Sequence, residues 1–566
     1  MRYQDWAKRE TCRKSIPYIV IAVFLFVIAI IKTRVGIHSD EIHSIAVADM
    51  IARGDKIFKD CWFYLQLSAV ISAPIIWLYR LVLGSADGLI LFLRIISVLI
   101  QTGISLFFYQ TFSKHRNRLY VFVASVCLFM FVPDFLSFGY KPEMIWFTIL
   151  EIIFAYRYCI DGRKINLVLL GISLMLCVLA FPTAVLHLLV WTVFILLKKS
   201  DNKTSVLYIL MPCLIGAIFF FAFTFNEISL SEFLRFFPEI LKDDQLASNF
   251  ITKLIHPVVK ITVLGIMSLT PILIAEKVPF FSRIVRKLRI PVIAILLVVA
   301  FIGQCYIERL GITWHCITYP YALTFFFLPY VYHMESSNDK ERNNDVFFCF
   351  TAMAWVSFLC FSLASNQGNL TSIYAGVISA IGLLVTMAGE EESNAYRERT
   401  SISIVLFIIS FYTFSTLVWD QEAIYPEIYG IRTVFSDRVY IDKGPAKGIL
   451  VGQDMYDNYM NLCDVIDDEV TRYDRVYIID SAFYCSFGYL YQPGYYAVYS
   501  PRGEYYDRIV EYYDVNPDRR ATVVIISKNY IKALNGDFPY DREIYKYLSE
   551  NSYIKKDSEY FVVFKK

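Results

Sequence analysis

Apolar stretches of about 20 residues recur along most of this chain, and no other feature constrains its fold as much. A helix of that length crosses the roughly 30 Å hydrocarbon core of a bilayer. The 566-residue chain is 57% hydrophobic, whereas soluble domains are about 45–50% apolar. The net charge of +2 gives no reason to expect a nucleic-acid partner. The sequence therefore predicts an α-helical polytopic membrane protein.

Thirteen of these stretches are predicted to cross the membrane. Their approximate bounds are 16–32, 89–110, 119–137, 143–159, 165–181, 183–198, 205–225, 257–275, 290–307, 317–333, 346–363, 371–388 and 401–419. A fourteenth apolar stretch, 65–83, contains Pro74 and ends in Trp77, Tyr79 and Arg80, which suits a helix at the membrane interface. Without it, the predicted inner segments hold 23 Lys and Arg residues and the short outer loops hold few, as the positive-inside rule requires.

This topology predicts a cytoplasmic N-terminus and an extracytoplasmic C-terminus in a multi-pass cell-membrane protein. Residues 1–419 are expected to form the membrane domain, and its first outer loop is 33–88. Short β-rich runs then alternate with helical segments, for example "RVYIID" (475–480) and "ATVVIIS" (521–527). Such alternation indicates a small α/β domain over residues 420–566.

The stretch "RVGIHSDEIHSIAVADMIARGD" (34–55) follows the first apolar segment and contains the adjacent acids Asp40 and Glu41. One interpretation is structural: Ser39 or Asp40 caps a helix that runs from Glu41 to Arg53 and is ended by Gly54, and the helix dipole favours negative charge in its first turn. The other is functional, because a carboxylate at the mouth of a membrane bundle can act as a general base toward a hydroxyl group. Both interpretations are open on these residues alone.

The same region resembles the start of the GT-C glycosyltransferases that use polyprenyl-phosphate sugars. That group includes the protein O-mannosyltransferases and the lipid A aminoarabinose transferases. The resemblance rests on the Asp–Glu pair, the "ARGD" helix end (52–55), an interfacial segment with Pro74 and Trp77, and Arg94 near the start of the second span. Thirteen spans followed by an outer C-terminal domain also match the GT-C-like layout.

The resemblance implies an inverting transfer of a sugar from polyprenyl phosphate to an acceptor hydroxyl at the outer face. It implies that Asp40 is the catalytic base and that Glu41 positions this base or the substrate. Arg94 matches an arginine expected to contact the phosphate, although an arginine snorkelling from a helix end is the plain alternative. The implied partners are the lipid-linked sugar, an acceptor glycan, lipid or protein, and the bilayer.

A second acidic position of the family falls in "FGYKPEM" (138–144), after the third span. Here Glu143 stands where the family has an aspartate, and Lys141 lies two residues before it, so both are substrate-binding candidates. The structural alternative is that Glu143 caps the next span behind a turn at Pro142. In both interpretations a carboxylate lies at the membrane surface.

Two departures from the family concern the phosphate. The stretch 61–74 has no charged residue where the aminoarabinose transferase has a Glu–Lys pair, and His43 stands where that enzyme has an arginine. His43 is therefore a further substrate-binding candidate. Other cations that could bind phosphate are Lys59, Arg80, Lys141 and Arg235.

No cofactor is assigned from the sequence, and the need for a divalent metal is an open question. The twelve cysteines show no metal-ligand spacing such as C-x-x-C. "KGPAKG" (443–448) lacks the G-x-G-x-x-G spacing of a phosphate-binding loop. Two alternatives to a glycosyltransferase stay open: a transporter or flippase of a lipid-linked glycan, and a non-catalytic protein that binds one. A transporter should show internal repeats and broken mid-membrane helices.

Overall fold

A bundle of apolar helices followed by a small α/β domain makes up this computed structural model, which confirms the predicted fold class. The residues that it describes are 2–62, 66–132, 136–198, 202–241, 251–309, 318–335, 340–364, 373–388, 396–417, 438–471, 473–479, 492–493, 512–514, 516–528, 553–558 and 560–566. The predicted domain boundary at 419–420 lies outside these ranges, and so does a further β-rich run of the sequence, "YYAVYS" (495–500).

The helices of the bundle follow one another with short connections. Those of the first half are α1 (Arg2–Lys32), α2 (Ser39–Ala52), α3 (Gln66–Leu83), α4 (Leu89–Phe112), α5 (Arg118–Met130), α6 (Tyr140–Asp161), α7 (Lys164–Ala180), α8 (Leu186–Leu197), α9 (Asn202–Glu227) and α10 (Leu230–Leu241). Those of the second half are α11 (His256–Lys277), α12 (Pro279–Arg309), α13 (Thr318–Glu335), α14 (Lys340–Leu363), α15 (Gly376–Met387) and α16 (Tyr396–Leu417).

The described part of the C-terminal domain combines one long helix with two small sheets. Its elements are β1 (Val439–Tyr440), β2 (Leu450–Val451), α17 (Gln453–Glu469), β3 (Arg475–Ile479), β4 (Gln492–Pro493), β5 (Val523–Ser527), β6 (Ile554–Asp557) and β7 (Phe561–Lys565). Strands β1 and β2 pair antiparallel, and the larger sheet has the order β4-β3-β5-β7-β6. In that sheet β3 is parallel to β4 and β5, and β7 is antiparallel to β5 and β6. The parallel pairs agree with the strand–helix alternation of the sequence, whereas that alternation gives no reason for the antiparallel pairs.

Every one of the thirteen predicted spans overlaps a helix of the bundle. In the described part of the chain, five helical segments are long and apolar enough to cross a membrane. They are Gln66–Leu83, Leu89–Phe112, Thr204–Asn226, Lys253–Lys277 and Asn344–Leu363. Seven further apolar helical segments are 10–17 residues long. The number of crossings and the orientation of the termini stay predictions.

The exposed fractions of the side chains distinguish a helix at the surface of the bundle, α9, from a central helix, α15. Helix α9 presents Ile218 and Phe219, which are 58% and 72% exposed, and such an apolar surface fits hydrocarbon rather than water. Helix α15 is the opposite case, since all of its residues are buried. A Cβ atom on Gly382 would lie 2.5 Å from the Cβ of Phe350, so this glycine permits the close approach of α14 and α15.

Helix α3 (Gln66–Leu83) lies within the predicted segment 65–83 and is itself long enough to span a bilayer. Its predicted interfacial position therefore has a direct test. We expect a Ser85→Cys variant, placed just after α3, to react with a membrane-impermeant maleimide from outside intact cells, because the interfacial placement keeps both ends of α3 on one side. Reaction only after permeabilisation would instead make α3 a fourteenth span. A second cysteine variant, Lys114→Cys in the predicted inner loop, is the matched control and should react only in permeabilised cells.

Candidate active site at the start of helix α2

A buried ion pair fixes the first turn of α2. Arg94 of α4 donates from Nε to Oε1 of Glu41 at 2.7 Å and from Nη2 to Oε2 at 2.5 Å. The two side chains are 1% and 0% exposed. A bidentate arginine–carboxylate pair fixes orientation as well as distance. The start of α2 is therefore held rigidly against α4.

The same guanidinium also binds the backbone that leads into α2. Nη1 of Arg94 donates to the carbonyl oxygens of Thr33 and Val35, at 2.9 and 3.2 Å, and Nη2 donates to that of Gly36 at 2.9 Å. Together with the two bonds to Glu41, these contacts use all five N–H groups of the side chain. The predicted phosphate contact of Arg94 stays a prediction, and it would require one of these bonds to be exchanged.

Asp40 is the second residue of α2, one residue before the clamped Glu41. Its backbone belongs to the first helical turn, where the free N–H groups of a helix favour negative charge. The side chains of Ser39 and Asp40 lie outside the described part of the structure. The structure thus gives the predicted base a fixed backbone position, and its catalytic role stays a prediction.

The C-terminal domain contacts the segment that leads into α2. The Gly36 N–H donates to the carbonyl of Leu450 at 2.9 Å, and the Leu450 N–H donates to the carbonyl of Arg34 at 2.6 Å. Gly36 has a φ of 68°, which an L-residue rarely adopts. Strand β2 therefore pairs with the backbone that Arg94 binds from the other side.

The "KGPAKG" segment has a structural use that its sequence did not reveal. The Gly88 N–H donates to the carbonyl of Gly444 at 3.0 Å, and the Ile90 N–H donates to that of Pro445 at 3.1 Å. These two amides belong to the start of α4, which has no partners for them within its own helix. The segment thus caps the helix that carries Arg94.

A second contact joins the C-terminal domain to the loop after α2. Arg519 donates from Nη2 to Oδ1 of Asp55 at 2.7 Å and lies 3.3 Å from Oδ2 of Asp60. The Tyr512 hydroxyl donates to the Asp60 carbonyl at 2.8 Å, and the Asn516 amide donates to the Lys59 carbonyl at 3.1 Å. Burial raises the pKa of Asp60, and the Arg519 guanidinium opposes this rise. This charged contact was not predicted, because its partners are more than 450 residues apart in the sequence.

We expect Arg519→Ala to loosen the C-terminal domain from the loop that follows α2. The change leaves Asp55 and Asp60 without their shared cation, and hydrogen bonds to charged groups contribute about 1.5–3 kcal/mol each. Limited proteolysis of the purified variant should then cleave the chain near this contact earlier than in the wild-type protein. Arg520→Ala is the matched control, because Arg520 is 40% exposed and lies 4.0 Å from its partner Asp514. Equal proteolysis of both variants would count against a role for Arg519 in docking.

The remaining predicted site residues are buried on two helices. His43 lies on α2 and is 5% exposed. Lys141 and Glu143 lie in the first turn of α6 and are 3% and 0% exposed. The Lys141 ammonium lies 5.4 Å from the ring centroid of Tyr140 and 5.6 Å from that of Tyr374. Two aromatic faces thus surround this cation.

Glu143 differs from the other acids of the region. Among the described residues, neither of its carboxyl oxygens makes a hydrogen bond of ordinary geometry, although the side chain is fully buried and the Gly139 backbone lies nearby. Buried polar groups are normally hydrogen-bonded, so each exception calls for an explanation such as a catalytic role, strain or an ordered water. Its position in the first turn of α6 therefore fits the predicted contact with a substrate.

Three other cationic residues were predicted as possible phosphate-binding residues, and their surroundings differ. Lys59 donates to Oε1 of Glu232 at 3.0 Å, next to the helix α10. Arg80 of α3 makes a bidentate pair with Asp49 of α2, at 2.5 and 2.8 Å. Arg235 is exposed on α10. Lys59 therefore joins the loop after α2 to α10, and Arg80 joins α3 to α2.

A group of possible metal ligands lies elsewhere in the bundle. Among the described residues, the His, Cys, Asp and Glu side chains include one buried trio that could hold an ion, formed by Glu151, Cys177 and His187. Sequence reasoning missed it, because its members come from three separate helices. The available signal was a carboxylate and an imidazole within apolar spans, where ionisable groups are expensive and tend to be functional.

Comparison with known proteins shows likeness in structure but not in sequence. No family model matches the sequence, and no curated protein matches it. The chain is similar to ArnT from Cupriavidus metallidurans bound to undecaprenyl phosphate, with a TM-score of 0.47, 11% identity and 97% of each chain covered. It is also similar to the archaeal oligosaccharyltransferase AglB from Archaeoglobus fulgidus in complex with an inhibitory peptide and a dolichol-phosphate. There the TM-score is 0.40 and the identity 11%, over 92% of this chain and 72% of that one.

A second structure of an Archaeoglobus fulgidus oligosaccharyltransferase, in complex with Zn and sulfate, is similar over 89% of this chain and 67% of that one. The TM-score is 0.44 and the identity 12%. These proteins belong to the same broad group that the N-terminal motifs resemble. At such low identity and TM-score, neither their activity nor their ligands transfer to this chain.

Proposed function

We propose that this protein is an integral membrane glycosyltransferase that moves a sugar from a polyprenyl-phosphate donor to an acceptor hydroxyl at the outer face of the membrane. The observation that carries the proposal is the buried Glu41–Arg94 pair. It fixes the first turn of α2, which contains Asp40, between the helical bundle and the C-terminal domain. A general base needs such a fixed orientation relative to the hydroxyl that it deprotonates.

The reaction is a single displacement at the anomeric carbon. The acceptor oxygen forms a bond to this carbon as the bond from the carbon to the phosphate oxygen breaks. The electron pair of the broken bond leaves with the polyprenyl phosphate, and the hydroxyl proton passes to the Asp40 carboxylate. Attack opposite the leaving group inverts the configuration of the sugar.

Negative charge that gathers on the departing phosphate requires a positive group nearby. We assign this role to Lys141 and His43, which are buried at the start of α6 and in α2. Arg94 and Glu41 act as positioning residues, because each binds the other and the backbone before α2. The buried carboxyl of Glu143 is assigned to a hydroxyl of the sugar or of the acceptor.

Purified protein in proteoliposomes tests this function. The probes are radiolabelled polyprenyl-phosphate sugars, supplied one at a time with a mixture of membrane glycolipids and peptides as acceptors. We expect label to move to one acceptor class, with one polyprenyl phosphate released for each sugar transferred. Label that crosses the bilayer while still attached to its lipid would indicate a flippase instead. Binding of the donor without any transfer would indicate a non-catalytic binding protein.

A further inference from the structure

A carboxylate, a thiol and an imidazole meet in the interior of the bundle. Glu151 comes from the middle of α6, Cys177 from the last turn of α7 and His187 from the first turn of α8. All three side chains are fully buried, and their possible ligand atoms lie within 4.8 Å of one another. Apolar spans rarely bring three such groups together without a use for them.

The distances between these atoms fit a tetrahedral ion. Nδ1 of His187 lies 3.1 and 3.3 Å from the two carboxyl oxygens of Glu151, and 4.0 Å from Sγ of Cys177. Zinc–ligand bonds of about 2.0–2.3 Å place a nitrogen about 3.4 Å from an oxygen and about 3.6 Å from a sulfur in a tetrahedral site. Shifts of a few tenths of an ångström would therefore complete the geometry.

Each of the three groups also has a partner on its outer side. The indole N–H of Trp191 donates to Oε2 of Glu151 at 2.6 Å. The Ser357 hydroxyl lies 3.3 Å from Nε2 of His187, and the Thr148 hydroxyl lies 3.7 Å from Sγ of Cys177. Metal-binding histidines usually use their second ring nitrogen for such a hydrogen bond, which orients the first nitrogen toward the ion.

We propose that Glu151, Cys177 and His187 bind a divalent transition-metal ion, and that this ion is zinc. One oxygen, one sulfur and one nitrogen donor form a set that suits zinc, whereas calcium and magnesium prefer oxygen ligands alone. Binding deprotonates the cysteine, and the thiol proton leaves to solvent. A hydrogen-bonded Glu–His pair beside an ordinary buried thiol is the alternative arrangement, and the zinc content of the protein decides between the two.

The ion ties α6 to α7 and α8. Glu151 lies eight residues after Glu143, which corresponds to about 12 Å along the helix at 1.5 Å per residue. The ion therefore fixes the helix that carries Lys141 and Glu143 and takes no part in bond breaking. This inference does not depend on the proposed glycosyltransferase activity.

Metal content of the purified full-length protein tests the inference. We expect about one zinc per chain after purification in detergent without chelator. X-ray absorption at the zinc edge should show one sulfur at about 2.3 Å together with lighter ligands at about 2.0–2.2 Å. Zinc below about a tenth of an ion per chain, with no uptake when zinc is added, would overturn the proposal. So would a zinc spectrum without a sulfur shell.

Variants locate the ion at this trio. Cys177→Ser and His187→Gln should each lower the bound zinc at least tenfold. Cys349→Ser is the matched control, since it removes another buried thiol from α14 and should leave the zinc content unchanged. If the ligand variants fail to fold, the sulfur shell of the wild type still decides the question. Full zinc retention by a folded Cys177→Ser protein would refute the site.

Discussion

Asp40→Asn is expected to lower sugar transfer by roughly 10²–10⁴-fold, the usual contribution of general acid–base catalysis. Asparagine caps a helix about as well as aspartate does, so α2 should keep its structure. It cannot accept the hydroxyl proton, so the chemical step should slow while binding of the lipid donor stays near the wild-type level. Initial rates of label transfer in proteoliposomes measure the first quantity, and donor binding by the same preparation measures the second.

Asp454→Asn provides the matched control for this experiment. Asp454 is an exposed aspartate in the first turn of α17, so it tests the same chemical change at a helix start far along the chain. We expect wild-type transfer from this variant. Near-normal transfer by Asp40→Asn would leave Asp40 as a helix-start residue and would move the search for a base to Glu143, a buried acid in the first turn of α6.

Arg94→Met is expected to destabilise the protein by about 3–5 kcal/mol, the usual cost when one partner of a buried ion pair is removed. The change leaves the Glu41 carboxylate in the interior without its cation. It also removes the donors to the Thr33, Val35 and Gly36 carbonyls. Thermal unfolding in detergent, followed by tryptophan fluorescence, should show a lower midpoint and less folded protein.

The double variant Glu41→Leu with Arg94→Met separates charge from packing. Replacing both members of a buried pair by apolar residues is often neutral or stabilising, so the double variant should regain part of the lost stability. It should still transfer sugar poorly, because α2 loses the contact that orients it. A stable Arg94→Met protein that fails only to bind the lipid donor would contradict the positioning role and support the phosphate contact predicted from the sequence.

The positions of the helices follow largely from the sequence. Each predicted span overlaps a helix, because bilayer thickness dictates how long an apolar segment must be and a buried backbone must bond to itself. The strand–helix alternation after residue 419 indicated the α/β domain for a similar reason, since its short β-rich runs "RVYIID" and "ATVVIIS" contain β3 and β5. Local composition carries both of these signals.

The sequence did not show in the same way which side chains contact one another in the candidate site. The acidic pair could be located, but Asp40 could be a helix cap or a catalytic base, and Glu41 could be a first-turn acid or the neighbour of that base. The structure shows that Glu41 pairs with Arg94, which is 53 residues away, and that β2 binds the same backbone from more than 400 residues further on. Hydropathy and charge counts record no such pairing.

The sequence by itself determined a membrane-spanning helical bundle, an α/β domain after it, and an acidic motif that begins the second helix. Only the tertiary structure decided that Arg94 pairs with Glu41 of this motif and that Arg519 binds Asp55 in the loop after it. The same holds for the trio of Glu151, Cys177 and His187, which lie on three different helices and contact one another in the bundle. The physical reason is the range of the forces. Hydrophobic burial and helix formation depend on neighbouring residues and repeat along the chain, whereas an ion pair or a ligand set depends on which helices pack together.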